Sequence, residues 1–319
     1  MPAERVILDC DPGQDDAVAI LLALASPVEI DLLAITTVAG NVPLDLTSKN
    51  ARRICELAGR PDMRVYAGCT RPMVRTLTTA EHVHGRTGLD GCTLPDPVMK
   101  LADGHAVDFL VETIRSEPEE SLTLAVTGPM TNVAHALVQA PEIARRLKRI
   151  VLMGGAWQDG NVTPVAEFNA YADPDAAAVV FGSGADIVMF GLNVTHKVIT
   201  TPERLAAIRA IGGAVGREVG AMLGFYNRND PDRYAGLTGA PLHDPCTIAW
   251  LIRPDLFTGR RCHVAVECTS DLTLGQTVID WWRRTGDIPN AMVMDQADAD
   301  GFFDLVIGRL ARLQGTLTA

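Results

Sequence analysis

Short apolar runs closed by polar loops alternate, along nearly the whole chain, with stretches of helical spacing. Val6-Ile7-Leu8 reads as a first strand, the polar turn Asp9-Cys10-Asp11-Pro12-Gly13-Gln14-Asp15-Asp16 follows, and residues 17–24 continue as an apolar helix. Residues 30–38 form a continuous apolar and β-branched run, the pattern of a parallel strand buried on both faces. Helical spacing over 44–58 stops at Gly59-Arg60-Pro61. Further strands are predicted at 65–67, 122–126, 150–153, 187–190, 262–267 and 291–295. Helices are predicted at 107–115, 202–229 with a break at Gly212-Gly213, 247–251 and 301–313. Strands alternating with helices predict an α/β fold: one large domain over 1–319 with a mostly parallel central sheet and helices on both faces. Ligands of such sheets bind beyond the carboxyl ends of the strands, so the active site is expected there.

The polar loops fall on that edge. The turn 9–16 carries four aspartates, and capping a helix accounts for one of them, at most two. Like charges held that close repel and raise one another's pKa unless a cation offsets them, which points to a hard divalent metal. Asn41 ends the second strand, and Gly128-Pro129 lets the Thr127 carbonyl turn toward a ligand, with Thr131 or Asn132 expected to cap the next helix. After Met153, Gly154-Gly155 opens a polar segment holding Asn161, Glu167, Phe168 and Asn169, suited to hydrogen-bonding several hydroxyls. Residues 71–105 lose periodicity, and His82 and His84 are candidates there for contacting a ligand. A turn-rich stretch, 230–243, leads to His243-Asp244-Pro245, which places a second carboxylate at a helix start.

Composition narrows the partners. Lys+Arg 28 against Asp+Glu 39 gives a net charge of −11 with no basic cluster, so nucleic acid and anionic membranes are not expected partners and a small neutral or cationic ligand is. No apolar run is long enough to span a bilayer and no signal peptide is visible, so a cytoplasmic protein is expected. Seven scattered cysteines without a Cys-x-x-Cys suggest neither a disulfide framework nor a zinc site, and Cys10 and Cys246 read as small buried fillers.

The segment 9–17, with Thr37-Val38-Ala39-Gly40-Asn41, Gly154-Gly155, Pro164-Val165-Ala166-Glu167-Phe168-Asn169 and His243-Asp244-Pro245, resembles the inosine-uridine preferring nucleoside hydrolases from the first strand to the closing helix. The resemblance implies a calcium-dependent hydrolase that splits ribonucleosides into ribose and free base, acting as a homo-oligomer, a dimer or a tetramer. It implies Ca²⁺ held by Asp11, Asp16, Asp244 and the Thr127 carbonyl. It implies a substrate shell of Asp15, Asn41, His84, Met153, Asn161, Glu167, Phe168 and Asn169. Asp11 is then the expected general base and His243 the expected proton donor to the leaving base, with His84, His82, Tyr226 or a water as the alternatives. One departure is local: Leu274 stands before Gly275, where the family typically has a basic residue. Purine or pyrimidine preference stays open. Two other classes compete: a haloacid-dehalogenase-like phosphatase, with Asp9 as nucleophile, Asp11 as acid and Asp295 or Asp298 on Mg²⁺, and a calcium-dependent sugar-binding protein without turnover.

Overall fold

A computed structural model describes residues 2–228 and 239–315. The predicted helix end at 229 and most of the predicted turn-rich stretch, 230–238, lie outside the described residues. The strands are β1 (Glu4–Cys10), β2 (Ile30–Thr37), β3 (Val65–Ala67), β4 (Leu122–Val126), β5 (Arg149–Met153), β6 (Ile187–Phe190), β7 (Phe257–Cys262), β8 (Val264–Val266), β9 (Thr277–Ile279) and β10 (Ala291–Ala297). Eight of them form one sheet in the order β3-β2-β1-β4-β5-β6-β10-β7, parallel except for the pairing of β7 with β10. The strand order reverses between β1 and its neighbour β4, so the loops after these two strands diverge to opposite faces and leave a crevice.

Strand periodicity divides the core between the two faces. Val6, Leu8 and Cys10 of β1 join the cluster under helices Gln14–Leu24, Gly213–Tyr226, Pro245–Ile252 and Ala299–Leu310. Ile7 joins the opposite cluster, under Ala106–Ser116, Thr131–Gln139 and Pro174–Phe181. Helix Gln14–Leu24 is buried at every position, which explains why its sequence is apolar all round beyond the aspartates. Cys10 and Cys246 are buried within this core, and all seven cysteines are free. Among the described residues no helix is long and apolar enough to cross a membrane.

Several predicted elements change. The strand expected at 262–267 is divided between the end of β7 and β8, which pairs with β9 in a separate two-stranded sheet. β7 itself escapes a periodicity reading because only its first and last residues are buried: it is an exposed edge strand with the interior Thr-Gly-Arg-Arg. The helical region from 202 divides into Pro202–Ala210 and Gly213–Tyr226, with Gly212 and Gly213 at φ 73° and 59°, values that favour glycine. Neither Thr131 nor Asn132 caps its helix. Thr131 donates to Asp173 (2.7 Å), and Asn132 turns under the sheet edge to donate to Asp9 Oδ1 (2.8 Å) and the Thr37 carbonyl (3.1 Å). The buried Asp9 carboxylate needs a donor in a place water does not reach, and Asn132 supplies it.

Candidate active site

The turn after β1 is held by its neighbours in the sheet. Thr127 N–H donates to the Asp9 carbonyl (2.8 Å), and Asn41 N–H donates to Asp11 Oδ2 (2.7 Å). Asn41 Nδ2 reaches the Asp11 carbonyl (3.1 Å) and Asp16 Oδ2 (3.3 Å). Asp16 also accepts from Thr127 Oγ1 (2.7 Å) and from Gly13 N–H (3.1 Å), so it does cap its helix, but with only part of its acceptor capacity. Asp11 lies between two glycines. A Cβ on Gly40 would sit 2.0 Å from Asp11 Oδ2, and one on Gly128 would sit 2.7 Å from Oδ1, so both positions must lack a side chain for the carboxylate to occupy this place.

Asp244, at the start of helix Pro245–Ile252, completes the group: one carboxylate oxygen each from Asp15, Asp16 and Asp244 lie within 4.8 Å of one another. All four aspartates, Asp11 included, are buried. Burial first, then mutual repulsion, pushes Asp11 and Asp244 well above the usual carboxylate range. Burial likewise raises Asp15 to about 6 and Asp16 to about 7. Asp11 Oδ1 and Asp15 Oδ1 are buried with no hydrogen-bond partner among the described residues. Orphaned anionic oxygens in an all-oxygen cluster are the donor set a hard divalent cation requires, so the residues present fit such an ion. The Thr127 carbonyl accepts from Asn169 Nδ2 (2.8 Å) and keeps a second lone pair for a further contact.

Beside the acids, hydrogen bonding fixes which atoms can meet a substrate. Asn169 gives its two amide hydrogens to the Thr127 and Met153 carbonyls (2.8 and 3.1 Å), leaving Oδ1 as an acceptor. Asn161 Oδ1 accepts from Phe168 N–H (2.8 Å), leaving its NH₂ as a donor. Glu167 accepts from the backbone of Gly155 (2.7 Å), Asn169 (2.9 Å) and Ala170 (3.1 Å), so roughly one lone-pair site stays available. Burial raises its carboxyl to about 7 against the pull of these three amides.

These side chains line an open cleft that encloses about 520 Å³ of empty space, part of it continuous with solvent. Asp15, Asn41, His84, Thr127, Met153, Asn161, Glu167, Phe168, Asn169, His243 and Asp244 all border it, with Asp11 and Asp16 beneath its acidic floor. His82 and Tyr226 border it as well. His243 is buried, with Nδ1 2.8 Å from Thr195 Oγ1 and its ring 5.7 Å from that of His196. Gln14 and Thr195 are not marked by the sequence motifs, and Asn132 is marked there only as a helix cap. Their common signal is a polar side chain inside an otherwise apolar element, and it becomes informative only once burial is known. Asp295 and Asp298, the metal ligands a phosphatase would need, pair with Lys197 and cap helix Ala299–Leu310, and neither lines the cleft.

This architecture, an acidic pocket ringed by hydroxyl-binding groups at the carboxyl edge of a parallel sheet, matches known proteins along its whole length. Residues 6–304 match the family model described as inosine-uridine preferring nucleoside hydrolase. The chain is 49% identical to the pyrimidine-specific ribonucleoside hydrolase RihA of Citrobacter koseri, over 96% of this chain and 97% of that one. Among solved structures it is similar to the purine-preferring ribonucleoside hydrolase from Gardnerella vaginalis (TM-score 0.91, 34% identity, covering 98% and 99% of the two chains). It is also similar to the inosine-uridine preferring nucleoside hydrolase from Bacillus anthracis (TM-score 0.80, 26% identity, covering 97% and 99%). The chain belongs to the nucleoside hydrolase family, and it is an enzyme of the class that hydrolyses the N-glycosidic bond of ribonucleosides.

Proposed function

We infer that the enzyme is a calcium-dependent ribonucleoside hydrolase in which Asp11, Asp16, Asp244 and the Thr127 carbonyl hold the ion. The observation that carries this reading is the pair of orphaned oxygens, Asp11 Oδ1 and Asp15 Oδ1, beside a cleft whose remaining polar atoms are arranged for vicinal hydroxyls. When bound, calcium supplies charge that orients a ribose diol and a water and makes that water easier to deprotonate. Asp15, Asn161, Glu167 and Asn169 bind the ribose hydroxyls, Asn161 as donor and Asn169 as acceptor, and Asn41 steadies the aspartates below them. Met153 and Phe168 wall the sugar and His84 faces the base.

Breaking the bond from C1′ to nitrogen builds positive charge on the sugar ring. The buried carboxylates favour that charge more in the transition state than in the ground state. Asp11, with an oxygen unengaged, accepts the proton of the attacking water. His243 protonates the departing base: the Thr195 hydroxyl, 2.8 Å from Nδ1, can serve as donor there, and the ring then carries its proton on Nε2. The higher identity to a relative named pyrimidine-specific supports uridine and cytidine as better substrates than inosine. We further take the chain, as one domain, to work as a homo-oligomer in the cytoplasm, a reducing compartment consistent with seven free cysteines.

The test is ribose release from a panel of nucleosides, with and without a strong chelator. Hydrolysis of uridine and cytidine above inosine, lost on chelation and restored by Ca²⁺, is the expected result. Undiminished turnover by thoroughly demetallated enzyme would rule out the ion assignment.

A further inference from the structure

Gln14 opens helix Gln14–Leu24 and is fully buried, yet its side chain leaves the acidic turn for the loop that carries His84. Gln14 Nε2 donates to the His84 carbonyl (2.9 Å) and the Asp90 carbonyl (3.2 Å), and Gln14 Oε1 lies 2.7 Å from His84 Nδ1. A carbonyl oxygen can only accept, so the amide fits one way round, with its NH₂ toward the two carbonyls and its oxygen toward the imidazole. That oxygen also only accepts. The hydrogen in this contact therefore belongs to Nδ1, and in the neutral ring the lone pair is on Nε2.

The ring is held in place as well as in tautomer. A Cβ on Gly13 would come within 2.4 Å of His84 Nδ1 and 2.7 Å of Cε1, so the imidazole packs directly on the glycine backbone. Tyr226 packs on the ring as well, stacked at 5.5 Å with an interplanar angle of 29°. Rotating the ring by half a turn would replace the Nδ1–H contact with a carbon and leave a buried amide oxygen unsatisfied.

We propose that Gln14 is a positioning residue that holds His84 as its Nδ1–H tautomer, so that the neutral ring receives a hydrogen bond at Nε2 from an N–H of the nucleobase and does not donate one. This rests on the reading of the cleft given above and divides the labour between its two buried histidines. The partner at His243 Nδ1 is a hydroxyl, which can serve as donor, and Nε2 can then carry the proton that goes to the leaving base. The partner at His84 Nδ1 is an amide oxygen, which excludes that role for the neutral ring. Gln14 thereby separates base recognition from base protonation.

The tautomer is read by ¹⁵N NMR of the full-length enzyme labelled at the imidazole nitrogens, with the His84 signals identified by their loss in His84→Phe. The neutral His84 ring should show a protonated, pyrrole-type Nδ1 and a pyridine-type Nε2. Gln14→Met, similar in length but without the amide, should shift the ring toward Nε2–H, and Gln14→Glu, which keeps an acceptor at this place, should retain Nδ1–H. In Gln14→Met the ratio of kcat/KM for uridine to that for p-nitrophenyl riboside, whose leaving group offers no N–H, should fall about tenfold, the scale of one lost hydrogen bond. A wild-type neutral ring protonated on Nε2, or a tautomer and substrate ratio unchanged in Gln14→Met, would overturn the proposal. The wild-type measurement decides even if a variant does not fold. Because it needs no substrate, a correct tautomer in an enzyme that hydrolyses no nucleoside would count against the functional reading alone.

Discussion

Glu167 and Asn169 show how a residue can serve fold and substrate together. Glu167 already accepts from three backbone amides, so Glu167→Ala strands those donors in a buried place as well as removing a contact to ribose. Its kcat/KM should fall by roughly one to two orders of magnitude and its melting temperature should fall with it, since a lost buried hydrogen bond costs about 1–3 kcal/mol. Asn169→Asp is the more discriminating change. It keeps the acceptor oxygen but loses both N–H donors to the Thr127 and Met153 carbonyls, so steady-state kinetics should show a loss of the same order although the atom facing ribose survives. For His243, removal of the proton donor should slow uridine about a hundred-fold to ten-thousand-fold and slow p-nitrophenyl riboside much less, because a nitrophenolate leaves without a proton. Equal slowing of both in His243→Ala would instead make the contact with Thr195 a packing feature.

Two elements offer contrasted tests. Helix Ala299–Leu310 carries Gly308 at an exposed position where an added Cβ meets nothing within 4 Å, so Gly308→Ala should raise stability by about 0.5–1 kcal/mol through helix propensity, read as a higher denaturant midpoint. The same substitution at Gly40, in the loop after β2, drives a Cβ into Asp11 and should abolish activity. The loop between β8 and β9 has a pH signature of its own. Glu267 accepts from Thr269 N–H (2.7 Å), Thr269 Oγ1 (2.7 Å) and Ser270 N–H (3.0 Å), and these bonds lower its carboxyl from 4.5 to about 2. The folded state thus binds its proton less readily than the unfolded chain. Its contribution to stability is present above the unfolded value and fades as pH falls from about 4.5 toward 2. The melting-temperature difference between wild type and Glu267→Gln should therefore be constant above pH 5 and shrink through that window.

For the molecule as a whole, burying four aspartates in one place opposes folding unless something offsets their charge, and an ion that binds only the folded state does so. At a hundred times its dissociation constant such an ion adds about 2.7 kcal/mol. Chelation should lower the melting temperature by several degrees and remove activity in parallel, with calcium restoring both and magnesium restoring them less well, since an irregular cage of carboxylates and a carbonyl suits the larger ion. A calorimetric scan unaffected by chelator would separate the acidic cluster from any structural cation.

The sequence by itself determined the order and type of nearly all the parallel strands, the edge of the sheet at which they deliver their loops, and the residue types gathered there. It could do so because strands buried on both faces leave continuous apolar runs, and because four aspartates in one turn are more than helix capping uses. β7 stayed hidden, since an exposed edge strand has no burial to pattern its sequence. Only the tertiary structure decided the direction of each polar side chain. Asn132 could as well have capped a helix, and Gln14 could as well have faced solvent. Asn132 instead donates to Asp9 Oδ1, and Gln14 sets the tautomer of His84, because the acceptors and donors that meet each of them are brought there by remote segments. Sequence spacing carries no record of those partners: 123 residues separate Asn132 from Asp9 and 70 separate Gln14 from His84, and it is the closing of the sheet that brings each pair together.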